Sequence, residues 1–131
     1  ISYRKVELPK GHWFTAGCFQ LREGSEDDEG ITVRSLLEKR TETQPVRQSS
    51  AGSVFRNPPD DHAARLIEAA GLKGLRFGGA TVSTQHANFI VNDQQASARD
   101  IETLIDKVRE AVADHAGVVL EPEVQFVGDH Q

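Results

Sequence analysis

The chain has 131 residues, which is enough for one compact domain with a core of its own, or for one domain and part of a second. Hydrophobic residues make up 37% and charged residues 27%, and no apolar run approaches the roughly 18 residues of a membrane span, so the composition predicts a soluble globular protein without a membrane role. A net charge of −5, with the basic residues spread along the chain, argues against binding to nucleic acid.

Cys18 is the single cysteine of the chain, which excludes an internal disulfide and predicts a reducing, cytoplasmic environment. For this residue a small buried side chain is favoured over a reactive thiol. The chain begins with Ile1 and contains no methionine, so it is predicted to be a fragment or a processed product.

The first predicted elements lie before Pro45. Residues 12–21 are rich in aromatic and small residues and predict a strand. The acidic stretch 22–30 predicts an exposed turn, and a cation site is disfavoured there because no spacing organises its carboxylates. Thr32 is expected to cap a short helix that ends by Pro45 and carries on its apolar side Val33, Leu36 and Leu37.

Residues 44–59 predict a connection that carries polar side chains rather than a core element, because prolines, serines and a glycine dominate. Both a domain boundary and a functional site are expected here. Asp60 or Asp61 is expected to cap the next helix, and Gly71 is expected to be its left-handed exit residue. The residues that share the apolar face of this helix are Ala63, Leu66, Ile67 and Ala70.

Two strands are predicted in the centre of the chain. Residues 75–82 form one that is broken by Gly78 and Gly79, where the backbone bends or lies close to another surface. Residues 86–92 form a clearer one. Alternation places Ala87, Phe89 and Val91 on its core face, and on its polar face His86, Asn88, Ile90 and Asn92.

Residues 97–116 predict the clearest helix, since Ser97 caps the start and Gly117 follows the end. Its apolar positions at helical spacing are Ile101, Leu104, Ile105, Val108 and Val112. Residues 118–127 predict an edge or bulged strand that contains Pro122 and has on one side Val118, Leu120, Val124 and Phe126. This order of elements predicts an α+β fold, with a small antiparallel or mixed sheet and helices packed on one face.

Familiar catalytic signatures are missing from the sequence. There is no phosphate-binding loop, no dinucleotide-binding glycine turn and no paired-cysteine zinc spacing. The five histidines are isolated from one another along the chain, so no metal site is predicted. Asp60 and Asp61 are interpreted as helix-start residues rather than as ligands.

The most informative polar residues lie between Ser50 and Pro58. Ser53, Arg56 and Asn57 place a hydroxyl, a guanidinium and an amide on one irregular segment, which suits an anionic ligand. From local sequence preferences alone, the favoured interpretation is a turn in which the serine hydroxyl forms a hydrogen bond with the backbone. A solvated carboxylate is likewise favoured for Glu123, and plain sheet surface is favoured for two further residues, His86 and Asn88. The functional interpretations stay open beside these structural ones.

Several short segments nevertheless occur together in an order that is specific in combination. They are Tyr3-Arg4, Gln44-Pro45, Ala51-Gly-Ser-Val-Phe-Arg-Asn-Pro58, Ala64-Arg-Leu-Ile-Glu-Ala-Ala-Gly-Leu-Lys-Gly74, Gly78-Gly-Ala-Thr-Val-Ser83, His86-Ala-Asn-Phe-Ile-Val-Asn92 and Leu120-Glu-Pro-Glu-Val124. Through these segments the chain resembles the C-terminal part of the UDP-N-acetylenolpyruvoylglucosamine reductase (UDP-N-acetylmuramate dehydrogenase) family, in the shorter subtype without a tyrosine-bearing insertion.

The resemblance implies a bacterial cytoplasmic flavoenzyme of peptidoglycan biosynthesis. In that family NADPH reduces FAD, and a hydride then passes to C3 of the enolpyruvyl group of UDP-N-acetylglucosamine enolpyruvate. Ser53 matches the serine that protonates C2 of the substrate. Glu123 matches the glutamate that stabilises the enolate carboxylate as charge develops.

The resemblance also implies residues that bind substrate. Asn57 matches a residue that holds the nucleotide portion, and Arg56 stands where lysine is commoner. Lys73 falls at a matching cationic position, and His86 lies where some relatives carry glutamine. The last residue of this expected set is Asn88. Thr43, which stands before Gln44-Pro45, replaces a lysine that many relatives have.

The family's FAD-binding region lies upstream of these segments. Residues 1–45 are therefore expected to be its tail, with their packing surfaces uncovered, and residues 46–131 to be the C-terminal substrate-binding domain. Neither FAD nor NADPH is expected to bind to this chain, which is expected to be inactive alone. The alternative is a free-standing nucleotide-sugar-binding module without redox activity, and a structural subunit without a ligand is a weaker third possibility.

Overall fold

The computed structural model describes residues 6–21 and 33–128. The chain divides into two units, Ile1–Gly30 and Ile31–Gln131. Within the described part, no helix combines the length and the apolar character that crossing a bilayer requires.

The first unit does not contain the strand predicted for residues 12–21. Its described part has a turn at Lys10 and Gly11, where the N–H of His12 donates to the carbonyl of Pro9 at 3.1 Å. Trp13 and Phe19 are 81% and 85% exposed. The strand prediction was wrong because aromatic content marks a surface to be buried, whereas a strand also needs a hydrogen-bonded neighbour. The acidic stretch 22–30 and Thr32 lie outside the described residues.

The second unit contains three helices and a four-stranded sheet. In chain order these are α1 (Val33–Thr43), β1 (Ser50–Ser53), α2 (Ala63–Ala69), β2 (Arg76–Phe77), β3 (Ala80–Val82), β4 (Phe89–Asn92) and α3 (Ala98–Ala116). The strand order is β1-β4-β3-β2, and every neighbouring pair is antiparallel. α3 packs on β2, on β3 and on α2, which confirms the α+β class with helices on a sheet face.

α3 confirms the prediction made from its periodicity. Four of its apolar residues are buried: Leu104, Ile105, Val108 and Val112. Ser97 and Asp100 form a capping box at the start, and Gly117 ends the helix with φ +69°. The helix α1 also ends before Pro45 as predicted, although none of its residues is buried.

The start of α2 differs from the prediction that Asp60 or Asp61 caps it. The N-cap residue is His62, which makes no side-chain cap, and the first helical N–H, that of Ala63, donates to Oδ1 of Asn57 at 3.1 Å. Asp61 instead accepts from the N–H of His62 at 2.7 Å. A side chain that reaches back from the preceding loop therefore replaces the sequence-adjacent cap.

The glycine pair is a hairpin turn rather than a bend within one strand. Gly78 and Gly79 connect β2 to β3. A Cβ atom on Gly79 would collide with the backbone of Gln94 and Ala96, so this turn does lie close to another surface, as predicted.

The face assignment predicted for residues 86–92 was wrong except at Ala87, which lies in the core as predicted. The core contains Ala80 and Val82 of β3 and their neighbour Ile90 of β4, whereas Phe89 and Val91 are buried on the opposite face. Both faces of β4 carry large apolar residues, so alternation alone could not decide which face meets the helices.

Residues 44–59 and 118–127 were also partly misassigned. The supposed polar connection contains β1 and two core residues, Val54 and Phe55. The C-terminal segment forms a single bridge, between Phe55 and Pro122, instead of a strand. Its apolar side still packs as expected at Leu120, which is 1% exposed. Pro122 lacks an N–H, which limits regular pairing.

Candidate functional site

A β-bulge at the end of β1 places Ser53. The register pairs Ser50 with Val91 but Ser53 with Phe89, so β1 advances one residue more than β4. Gly52, with φ +85°, is the left-handed residue within the bulge. Directly opposed residues of an antiparallel pair share a face. Ser53 therefore lies on the face of Phe89, away from α3, whereas an unbulged register would turn it towards the core.

Val54 and Phe55 join this segment to the C-terminal chain. The carbonyl of Val54 accepts from the N–H of Glu123 at 2.8 Å and from that of Val124 at 3.4 Å. The N–H of Arg56 donates to the carbonyl of Glu121 at 2.9 Å. The fold thus brings Glu123 beside the residue that follows Ser53, although the two predicted catalytic residues are far apart in sequence.

Arg56 lies where the segment leaves the sheet. Its Nη1 is 3.2 Å from Oε1 of Glu121, and the side chains are 39% and 70% exposed, so this pair contributes little to stability. Within the described part of the chain, Nε of Arg56 is the buried side-chain polar atom that has no hydrogen-bond partner. Arg56 is thus partly buried, and its Nε–H is a hydrogen-bond donor that an anionic partner would satisfy.

Asn57 is half-buried directly after Arg56. Its Oδ1 serves the start of α2, as described above. The structure therefore shows a structural function for this residue, and its predicted contact with substrate stays a prediction.

Lys73 and His86 are the next two predicted substrate-binding residues. Lys73 donates to Oε1 of Glu68 at 2.8 Å. Burial lowers the pKa of His86 below its ordinary value, and the nearby charge of Lys73 acts in the same direction. The His86 ring meets the Phe89 ring edge-on at 4.9 Å, and Phe89 is the residue paired with Ser53. Lys73, the cationic position predicted from sequence, therefore lies near enough to His86 for its charge to act on the ring.

Asn88 is buried, with 4% of its surface exposed. Its side chain accepts from the N–H of Phe55 at 2.9 Å and donates to the carbonyl of Phe55 at 2.8 Å. Sequence reasoning placed this residue on a polar sheet face, and the signal that it serves the backbone of a distant segment is not visible in the sequence. Its predicted contact with substrate is not tested by this arrangement.

Two cavities flank β1. One of about 340 Å³ lies on the Ser53 side and is lined by residues that include Leu37, Gln48, Gly52 and Phe89. Another of about 530 Å³ lies on the helix side, between α3 and the C-terminal segment, and is mainly apolar. Neither is lined by Ser53 or Glu123. Among residues 6–21 and 33–128, no group of three potential metal ligands comes together.

Comparisons with known proteins show the family of the chain. Residues 44–127 match the family described as UDP-N-acetylenolpyruvoylglucosamine reductase, C-terminal domain. The chain is 54% identical over 131 residues to UDP-N-acetylenolpyruvoylglucosamine reductase of Alkalilimnicola ehrlichii, covering 100% of this chain and 44% of the relative. It is 55% identical over 131 residues to the enzyme of the same name from Methylococcus capsulatus, covering 100% of this chain and 43% of that relative.

A solved structure shows the same likeness. The crystal structure of UDP-N-acetylenolpyruvylglucosamine reductase from Thermus caldophilus matches 70% of this chain and 32% of its own chain, with 42% identity and a TM-score of 0.60. Fold and likeness together define a domain of the kind that forms the C-terminal part of these reductases. The chain belongs to the UDP-N-acetylenolpyruvoylglucosamine reductase family, in its C-terminal domain, and it spans less than half the length of the curated relatives named above.

Proposed function

We propose that this chain is the substrate-binding part of a cytoplasmic reductase that converts UDP-N-acetylglucosamine enolpyruvate to UDP-N-acetylmuramate for peptidoglycan. The observation that carries the proposal is the hydrogen bond of 2.8 Å between the N–H of Glu123 and the carbonyl of Val54. It joins the two segments whose residues match the family's catalytic serine and glutamate.

Ser53 would donate the proton that C2 of the substrate takes up. A serine hydroxyl is a weak acid in water, so this function requires a closed site in which positioned groups stabilise the developing charge. Glu123 would stabilise the enolate carboxylate of the substrate as charge develops. The bulge at Gly52 supports this function because it turns Ser53 away from the core while Val54 stays within it.

Arg56, Asn57, Lys73 and His86 would bind the nucleotide-sugar substrate. A UDP-sugar carries negative phosphates, and Arg56 and Lys73 are the cations of this set. The Nε atom of Arg56, which is buried and has no partner within the described residues, could be satisfied by an oxygen of such a ligand. Asn88 differs from these residues, because its amide already bonds to the backbone of Phe55.

FAD and NADPH would be held by the upstream region of the longer protein. Neither cavity beside β1 is lined by Ser53 or Glu123, so neither of these two cavities offers a site in which a flavin would face both side chains. When held by that region against the substrate, the flavin would supply the hydride that C3 receives. We expect the 131-residue chain alone to be colourless and inactive, and co-purification of stoichiometric FAD with it would contradict this expectation.

Residues 1–45 would be the tail of that FAD-binding region, and residues 46–131 the substrate-binding domain. Exposed apolar side chains before Pro45 support the assignment of residues 1–45. Trp13 and Phe19 are exposed in the first unit, and in α1 the exposed apolar residues are Val33, Leu36 and Leu37. Upstream residues of the longer protein would cover these surfaces.

The decisive experiment is an anaerobic two-step assay of the longer protein. Ser53→Ala should leave the reduction of flavin by NADPH intact and abolish its reoxidation by substrate, because only the second step needs the proton. Ser49→Ala, an exposed serine that precedes β1, is the matched control and should leave both steps unchanged. Equal loss of both steps in Ser53→Ala would make Ser53 structural. A longer protein that binds the UDP-sugar but no flavin would favour the non-redox module instead.

A further inference from the structure

Asn88 continues the sheet at the point where regular pairing between β1 and β4 stops. The last paired residues are Ser53 and Phe89. Beyond them the N–H of Val54 donates to the backbone carbonyl of Asn88 at 2.9 Å. The Asn88 side chain then forms two hydrogen bonds with the backbone of Phe55, at 2.9 Å and 2.8 Å. One residue thus supplies three hydrogen bonds to two consecutive residues of the candidate segment.

The chemistry of these bonds requires an amide of this size. Phe55 is 1% exposed, so its N–H and carbonyl need partners within the protein. An asparagine side chain offers both a donor and an acceptor, whereas an aspartate side chain offers two acceptors when ionised. Alanine at this position would leave both backbone groups of Phe55 without their partner.

The Val54–Phe55 pair is connected to most of the candidate site. Val54 accepts from the N–H of Glu123, and the next residue after Phe55 donates to Glu121. On the other side, the N–H of Asn88 donates to Nδ1 of His86 at 3.3 Å. Asn88 therefore lies between His86 and the pair of segments that carry Ser53 and Glu123.

We infer that Asn88 is a positioning residue for the reductase reaction, and that its amide holds Ser53 and Glu123 in register without a direct bond to substrate. The inference rests on the proposed function. If the two side-chain bonds of Asn88 are what hold Phe55, then removing its amide should loosen this segment before the rest of the domain and should impair the substrate step more than the NADPH step.

Hydrogen exchange on the 131-residue chain tests the structural half independently of function. In Asn88→Ala the N–H of Phe55 should exchange about tenfold or more faster than in the wild type, once corrected for global stability with the N–H groups of Leu104 and Ile105. Thr81→Val is the matched control, because Thr81 is 9% exposed and loses a hydrogen bond to Asp93 elsewhere in the sheet. No greater change at Phe55 in Asn88→Ala than in Thr81→Val would overturn the inference.

The two half-reactions of the longer protein test whether Asn88 positions Ser53 and Glu123 for the reaction. Flavin reoxidation by substrate should fall about tenfold or more in Asn88→Ala, with flavin reduction by NADPH nearly unchanged and both rates close to wild type in Thr81→Val. Asn88→Asp, which keeps the size and the acceptor but loses the donor, should show the same pattern and is used if Asn88→Ala does not fold.

Three results would count against Asn88 as a positioning residue. Faster exchange at Phe55 with a normal substrate step would make Asn88 merely structural, and so would equal loss of both half-reactions. Weaker substrate binding with unchanged exchange at Phe55 would indicate a direct contact. A wild-type protein without reductase activity would refute the proposed function, while the exchange experiment would still decide whether Asn88 holds the segment.

Discussion

Replacing Gly52 with alanine isolates the effect of the bulge that presents Ser53. Gly52 has φ +85°, and a Cβ atom there would meet nothing within 4 Å, so the cost comes from backbone conformation and not from a clash. A left-handed conformation costs an L-residue roughly 1–2 kcal/mol. The lower entropy of the unfolded alanine chain offsets about 0.4–1 kcal/mol of that cost. The net loss of unfolding free energy is therefore expected to be about 1 kcal/mol.

Gly71→Ala is the matched control, since Gly71 has φ +73° and equally open space at the end of α2. Urea unfolding of the 131-residue chain should show a similar loss of stability in both variants. In the longer protein only Gly52→Ala should slow flavin reoxidation by substrate, by as much as about 10²-fold if Ser53 moves by about 1 Å. The reasoning about the bulge would be refuted if both variants kept the same substrate rate, or if Gly52→Ala were as stable as the wild type.

Four further predictions concern the stability of the domain and are measured by urea unfolding of the same chain. Ser97→Ala should cost about 1 kcal/mol, because it removes the capping box of α3. The hydrogen bond from the Ser97 backbone N–H lowers the pKa of Asp100 in the folded chain. The stability that Asp100 contributes is therefore present above its ordinary pKa of 3.8 and is lost as pH falls through its lower pKa in the folded chain. Leu104→Ala, at a residue with 0% exposure, should cost about 2–5 kcal/mol, and a smaller loss would mean that α3 is less tightly packed than described. Burial lowers the pKa of His86 from 6.5, so protonation favours the unfolded chain and the wild type should lose stability as pH falls below that value. His86→Gln should lose less between about pH 7.5 and 5.5, and identical pH profiles would contradict the stated cause.

Local patterns in the sequence predicted the helices well. The periodicity of α3, its start at Ser97 and its exit at Gly117 all depend on residues within one or two helical turns, and the structure confirms each of them. The same holds for the apolar face and the left-handed exit of α2. Membership of the reductase family was also predictable, because it rests on ordered motifs rather than on spatial contacts.

The sheet and the site depended on contacts between distant segments, and only the tertiary structure decided these. Alternation could not show which face of β4 meets α3, since Phe89 and Ile90 are both apolar. The bulge at Gly52 sets the face of Ser53 by a one-residue shift that is defined only against the partner strand. Asn57 serves α2, and Asn88 bonds to Phe55, through side chains whose partners are not their neighbours in sequence.

The sequence by itself determined which residue types are available for the proposed chemistry, a serine, a glutamate and a set of cations, and where the helices α2 and α3 lie. The tertiary structure alone decided that Ser53 and Glu123 lie on adjoining segments, through the bond between Val54 and Glu123, and that Asn88 bonds to the backbone between Ser53 and Arg56. The physical reason is the range of the interactions. Helical order follows from hydrogen bonds and side-chain contacts a few residues apart, whereas the register of strands and the satisfaction of buried backbone groups are settled only when distant parts of the chain meet.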